Sequence, residues 1–230
     1  MSTERRSVAA PLSGTTALMW AAWVLVLGGS LALSVMAAQH SRLPGDLRLT
    51  EWLQGSPFPG VGLSRAVRAV TTTEVVLPTG FAVSAALWLL GRRRQAVALA
   101  MALAVLPLAQ HGIKEAVDRA RPSPDLVDVR AGFSSSSFPA GHVMSPTVLY
   151  GFLLWESLRP PARPGRLRRT VRVAVESWST GVLVLAAPAN VYMGVHWPSD
   201  VLGGYAWGTV LLLPAVFMAA DRLPRQCSRG

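Results

Sequence analysis

The sequence predicts an all-helical membrane bundle of six spans, and three observations carry that expectation. The 230-residue chain is 51% hydrophobic and only 15% charged. Its apolar residues fall in long uncharged runs rather than in the 3.6-residue stripe of a water-soluble helix. Its arginines gather in short clusters between those runs, as the positive-inside rule requires of a membrane protein. A chain of this length holds one domain, so residues 1–230 are read as a single integral membrane unit.

The first run, 17–38, carries no charge and exceeds the roughly 20 residues needed to cross ~30 Å of hydrocarbon. Arg5 and Arg6 precede it, so a signal peptide is an alternative. Its apolar core is longer than the usual ~7–15 residues of such a peptide, which favours a retained anchor. The second run, 75–90, is short and stops at Arg92, Arg93 and Arg94. The third, 95–113, is long enough to span; the fourth, 143–158, is again short. The fifth, 173–192, follows Arg159, Arg163, Arg166, Arg168, Arg169 and Arg172. The sixth, 201–220, is followed by Arg222, Arg225 and Arg229.

With six spans, all four arginine clusters fall on one side, which is then the cytoplasm, as are both termini. The opposite side carries 40–74, 114–142 and a tight turn at 191–200. Within the first of these, Leu63–Val70 is expected to form a short interfacial helix.

The formal net charge of +10 raises nucleic acid as a partner. The placement of the arginines at span ends argues against that, and no nucleic-acid partner is expected; the expected partner is the lipid bilayer. The single cysteine, Cys227, cannot form an internal disulfide, and no cysteine–histidine spacing suggests zinc. No metal and no cofactor are expected.

Polar residues of a catalytic kind collect on the side away from the arginine clusters. Lys114 is the only lysine in the chain. Arginine serves everywhere else, so an ammonium kept here points to a need for one; the plain alternative is a lysine snorkelling from a helix end. Arg121 offers a planar fork to phosphate, and Lys114 a compact point charge. His142 follows Gly141 at an expected helix start, where free backbone N–H groups favour an anion. A histidine there can act as a general acid. His196 and Asp200 are four residues apart, with Pro198 suited to a first helical turn. On a helix they share a face. A carboxylate on one imidazole nitrogen fixes the tautomer and leaves the other nitrogen free to attack.

The order Lys-x6-Arg-Pro (Lys114 to Pro122), Pro-x-Gly-His (Pro139 to His142) and His-x3-Asp (His196 to Asp200) resembles the type 2 phosphatidic acid phosphatase family. The stretch from Val191 to Gly204 looks like that family's third motif. The resemblance implies the helical fold of the type 2 phosphatidic acid phosphatase and vanadium haloperoxidase-like kind. It also implies a metal-independent phosphatase in the cell membrane, with its site on the extracytoplasmic face. By that analogy His196 attacks phosphorus to form a phosphohistidine, Asp200 orients it, and His142 protonates the leaving group. Lys114, Arg121, Gly141 and Asn190 surround the phosphoryl oxygens.

Two positions depart from the family pattern. Ala140 stands where the second motif usually has serine, and Ala189-Asn190 stand where the third usually begins Ser-Arg. Asn190 brings hydrogen bonds but no charge. Loss of one preorganised transition-state donor costs about 2.7–4 kcal/mol. The sequence therefore supports a lipid phosphatase or pyrophosphatase acting on a polyprenyl or glycerolipid substrate. Against it stands a catalytically degenerate lipid-phosphate binder or transport partner on the same scaffold. A third reading is phosphoryl transfer to an acceptor other than water.

Overall fold

The computed structural model describes residues 14–133, 135–159 and 165–220. Among these it contains eight helices: α1 (Gly14–Gln39), α2 (Asp46–Gln54), α3 (Gly60–Thr71), α4 (Thr73–Leu89), α5 (Arg93–Val117), α6 (Gly141–Ser157), α7 (Arg166–Tyr192) and α8 (Pro198–Ala219). Each of the six apolar runs lies in one long helix, and α2 and α3 fold the segment between the first two. Arg5, Arg6, Ser134, Arg163, Arg222, Arg225, Cys227 and Arg229 lie outside the described residues.

Four helices, α1, α5, α7 and α8, are long and apolar enough to cross a membrane. The pair α3 and α4, bent by 51° at their junction, makes a fifth candidate if counted as one broken span. Helix α6 has 17 residues, as does α4. At 1.5 Å per residue each is about 26 Å long, short of the ~30 Å hydrocarbon core. Helix α7 begins at Arg166 rather than near 173, because its arginine-rich first turns continue the helix beyond the apolar stretch.

Helix α6 is the centre of the bundle. Val143, Met144, Val148, Leu149 and Phe152 are buried against α5, α7 and α8, with Leu99, Leu103 and Leu106 of α5 completing the core. Glycines on α8 set the closeness of the α6–α8 contact. A Cβ on Gly204 would lie 2.7 Å from the Ala140 carbonyl oxygen, and one on Gly208 2.6 Å from Thr147 Cβ. Helix α1 packs along α8, where the Trp23 indole donates to the Val210 carbonyl and Trp207 donates to Ser34 Oγ. Leu18, Leu25, Leu89, Leu108, Val184 and Leu202 are exposed on the outside of the bundle. Exposed apolar surface of this kind suits lipid rather than water. The chain is a multi-pass membrane protein.

Among the described residues, the arginines at the start of α5 and at the end of α6 meet at one end of the bundle. Arg92 at the start of α5 and Arg159 just after α6 both pair with Glu156 at the end of α6. The opposite end gathers the C-termini of α5 and α7, the N-termini of α6 and α8, and helices α2 and α3.

Candidate active site

The turn that carries His196 is made by glycine and closed by a carboxylate. Gly194 has φ +66, and a Cβ there would lie 2.3 Å from the Asp128 carbonyl oxygen, so the turn requires glycine. Asp200 then caps α8 by accepting a hydrogen bond from the Trp197 backbone N–H at 2.8 Å, half of a capping box. One helical turn thus brings Asp200 beneath His196. Both are buried, at 0% and 2% exposure.

His196 Nδ1 faces Asp200 Oδ2 at 3.8 Å, longer than a hydrogen bond. Its Nε2 lies 3.3 Å from Arg121 Nη1. A guanidinium has only donors to offer. Nε2 is therefore the acceptor and Nδ1 carries the proton in this arrangement. Burial pushes the imidazole down to about 4; Asp200 opposes that shift, and the charges of Arg121 and Lys114 add to it. At neutral pH His196 is a neutral base with its Nε2 lone pair turned toward Arg121, and the charge of Lys114 also reaches it.

Those cations are held by the 119–137 segment. Arg121 donates to the carbonyls of Ser135 and Val195, each at 2.6 Å, and stacks over Phe133. Burial lowers Arg121 to about 10, with Asp200 opposing, so it stays charged. Lys114, near the end of α5, donates to the Ser136 carbonyl at 2.6 Å. His142 is the second residue of α6 and half-buried, within electrostatic reach of Arg68, His196, Arg121 and Lys114. The backbone N–H groups of Gly141 and His142 have no hydrogen-bond partner among the described residues. They form the free donor end of α6. A Cβ at Gly141 would meet Gln110 at 3.8 Å, an ordinary contact, so local space alone does not demand glycine there.

The two departures are both buried. Ala140 is the N-cap of α6, and its N–H donates to the Asp200 carbonyl at 3.0 Å. It brings no side-chain cap, which a serine can supply. Of the serine run, Ser137 Oγ donates to Asp200 Oδ2 and Ser136 Oγ to Asp118, leaving Ser135 Oγ beside Arg121 at 3.4 Å. Asn190 lies near the end of α7. Its amide nitrogen donates to the Ala186 carbonyl at 2.8 Å, and its amide oxygen accepts from Arg68 of α3.

Three charged residues that the motifs do not single out belong to this assembly. Arg119, 3% exposed, donates to Asp200 Oδ1 at 2.7 Å, to Ser199 Oγ at 2.7 Å and to Asp46 Oδ2 at 3.0 Å. Asp46, 3% exposed at the start of α2, also accepts from the backbone N–H groups of Leu43 and Ser199. Arg68 is the third. Asp46 and Asp200 thus share one buried guanidinium, and Ser137 holds the other oxygen of Asp200. The clue to Arg119 in the sequence is its place two residues before Arg121, inside the Lys-x6-Arg-Pro spacing. Asp46 and Arg68 carry no such clue.

Comparison with known proteins identifies the family and the fold. The family model described as the PAP2 superfamily matches residues 95–223, more than half of the chain. Phosphatidylglycerophosphatase B of Bacillus subtilis (strain 168) is 32% identical over 100 residues, covering 43% of this chain and 45% of that protein. The chain therefore matches under half the length of that relative. The crystal structure of a transmembrane PAP2-type phosphatidylglycerolphosphate phosphatase from Bacillus subtilis superposes with a TM-score of 0.55 at 20% identity. That alignment covers 87% of this chain and 94% of the other. The chain belongs to the PAP2 superfamily, the type 2 phosphatidic acid phosphatases.

Proposed function

We propose that this protein is an integral membrane phosphatase that hydrolyses a lipid phosphomonoester or pyrophosphate through a phosphohistidine on His196. The observation that carries the reading is the buried, neutral His196 with Nε2 turned toward Arg121 and Asp200 behind Nδ1. In the first step the Nε2 lone pair attacks phosphorus as the bond to the leaving oxygen breaks. His142, protonated in the complex with the anionic substrate, gives that oxygen its proton and becomes neutral, and Asp200 stabilises the His196 imidazole as it gains positive character. In the second step His142 takes a proton from water, the water oxygen attacks phosphorus, and the P–N bond breaks. Lys114, Arg121 and the N–H groups of Gly141 and His142 hold the phosphoryl oxygens.

The lipid tail lies among the apolar helices, and the headgroup reaches the site at the membrane surface. Helices α4 and α6 complete six spans, with the arginine-rich end in the cytoplasm and the site outside. Phosphatidylglycerol phosphate leads the substrate panel because the relatives' names carry it; polyprenyl pyrophosphate, polyprenyl phosphate and phosphatidic acid complete it. The buried Ala140 and Asn190 favour one second reading, a lipid-phosphate binder without turnover.

The test is phosphate release by the detergent-solubilised protein on that panel, with EDTA present and His196→Ala beside it. The expected result is turnover that survives EDTA and disappears in the variant. Absence of release from every substrate shifts the assignment to the binder. Loss of activity in EDTA contradicts a mechanism in which Lys114 and Arg121 supply the positive charge.

A further inference from the structure

We propose that Arg68, on α3, is a phosphoryl-binding cation of this site and that Asn190 is the positioning residue that aims it. The inference rests on the phosphatase reading and goes beyond the three motifs, because Arg68 lies outside all of them.

Arg68 is half-buried and donates through Nη1 to Asn190 Oδ1. Asn190 is fully buried, and its amide nitrogen is tied to Ala186 in the same helix, so its oxygen is fixed toward α3. The bond uses one of the five guanidinium N–H donors. The rest have no partner among the described residues, and no carboxylate there pairs with Arg68. This contrasts with Arg119, which is shared between two carboxylates. A partly buried guanidinium without a counter-ion is costly unless an anion completes it. The charge of Arg68 also reaches His142 and Arg121, which places it on the same side as the reacting groups.

The packing explains how a residue of the outer segment enters the site. Ser64, Val67 and Thr71 form the buried face of α3, which lies along α7. Arg68, next to Val67, projects along the edge of that contact at the level of Asn190. Position 190 lacks the arginine expected of the third motif, and Arg68 supplies a guanidinium at that place from another helix. The ligand chemistry is a phosphate dianion, approached by Arg68 from the α3–α7 side.

The experiment compares wild type, Arg68→Gln, Arg68→Lys and the double variant Arg68→Gln/Asn190→Arg. Each is measured for phosphate release from the lipid panel and for orthovanadate affinity by calorimetry, with thermal denaturation as the check on folding. Arg68→Gln is expected to lose about 10²–10³ in kcat/KM, the size of one preorganised donor, and to bind vanadate more weakly at an unchanged melting temperature. Arg68→Lys is expected to fall between it and wild type, and the double variant to recover at least about tenfold, a factor equal to roughly 1.4 kcal/mol. Wild-type turnover and vanadate affinity in Arg68→Gln overturn the proposal. If Arg68→Gln does not fold, Arg68→Lys decides, and an unchanged vanadate affinity in that variant overturns it. If wild type releases no phosphate, the phosphatase reading fails. Vanadate affinity then tests Arg68 alone, a drop in Arg68→Gln supporting it and no change refuting it.

Discussion

Burial pushes the His196 imidazole down to about 4, against the partial opposition of Asp200. Two pH effects follow. Attack requires an unprotonated Nε2, so kcat/KM should fall on the acid side with an apparent pKa near 4 for this group. Folding is linked as well. Between about 4 and the unfolded value of roughly 6.5, the unfolded chain binds the proton and the native chain does not. Stability from this group is therefore complete above the unfolded value and is lost as pH falls through the folded one. An acid limb centred near 6.5 in the free enzyme would contradict the buried neutral state. Arg119 gives a second prediction. Removing it by Arg119→Gln leaves Asp46 and Asp200 buried without their shared cation, a change that typically costs about 3–5 kcal/mol. Thermal denaturation should show a clear loss, whereas an unchanged melting temperature would mean that the network does not hold the fold. The motif residues Lys114, Arg121, His142, His196 and Asp200 were legible in the sequence because each stands in a short fixed spacing. Asp46 was not. Its partner Ser199 is 153 residues away, and nothing local marks a carboxylate that will be buried by a distant helix.

Helices were read from apolar runs, and the reading succeeded wherever the run and the helix coincide. The short helix expected at 63–70 is found as α3, 60–71. Helix α2 went unread because its nine residues, with Asp46, Arg48, Glu51 and Gln54 among them, have no apolar run. Its function is positional: it carries Asp46 into the core, and its Gln54 side chain ties the Asp128 and Tyr192 backbones together. The contact of α6 with α8 makes a testable claim at this scale. These two helices set the N-cap of α6, Ala140, against the Asp200 carbonyl of α8, and their approach depends on the absence of a Cβ at Gly208. Gly208→Ala should lower both melting temperature and turnover, since Thr147 and the Met144 carbonyl lie within 3.0 Å of the new atom. Gly28→Ala in α1 is the matched control. Nothing lies within 4 Å of its Cβ, so alanine should leave activity intact. Stability should hold or rise by about 0.5–1 kcal/mol, the helical preference of alanine over glycine. Equal losses in the two variants would show that the close α6–α8 approach is not what the substitution at 208 disturbs.

At the scale of the whole molecule, the bundle separates two kinds of charge. One end carries Arg92, Arg93 and Arg94, with Arg92 paired to Glu156 of α6, and the arginine-rich start of α7. The other carries the site, with Lys114, Arg119 and Arg121 buried or bound to backbone carbonyls, while the exposed Arg42, Arg48 and Arg65 of 40–74 are interspersed with Asp46, Glu51 and Glu74. The positive-inside rule reads only the first kind, because it concerns loop charges near span ends. This is why orientation can be argued even though Lys114, Arg119 and Arg121 lie at the other end. The argument requires an even number of crossings between the clusters, and so requires α4 and α6, short as they are, to cross. Single-cysteine labelling tests it directly. In a Cys227→Ser background, Asp125→Cys places a thiol in the exposed loop at the site end, and Leu167→Cys places one on the exposed start of α7. A membrane-impermeant maleimide applied to intact cells should label the first and reach the second only after lysis. The reverse pattern would put the site in the cytoplasm. Labelling of both from outside would mean that the two loops share a side and that α6 does not cross, leaving α5 and α7 joined by a re-entrant helix.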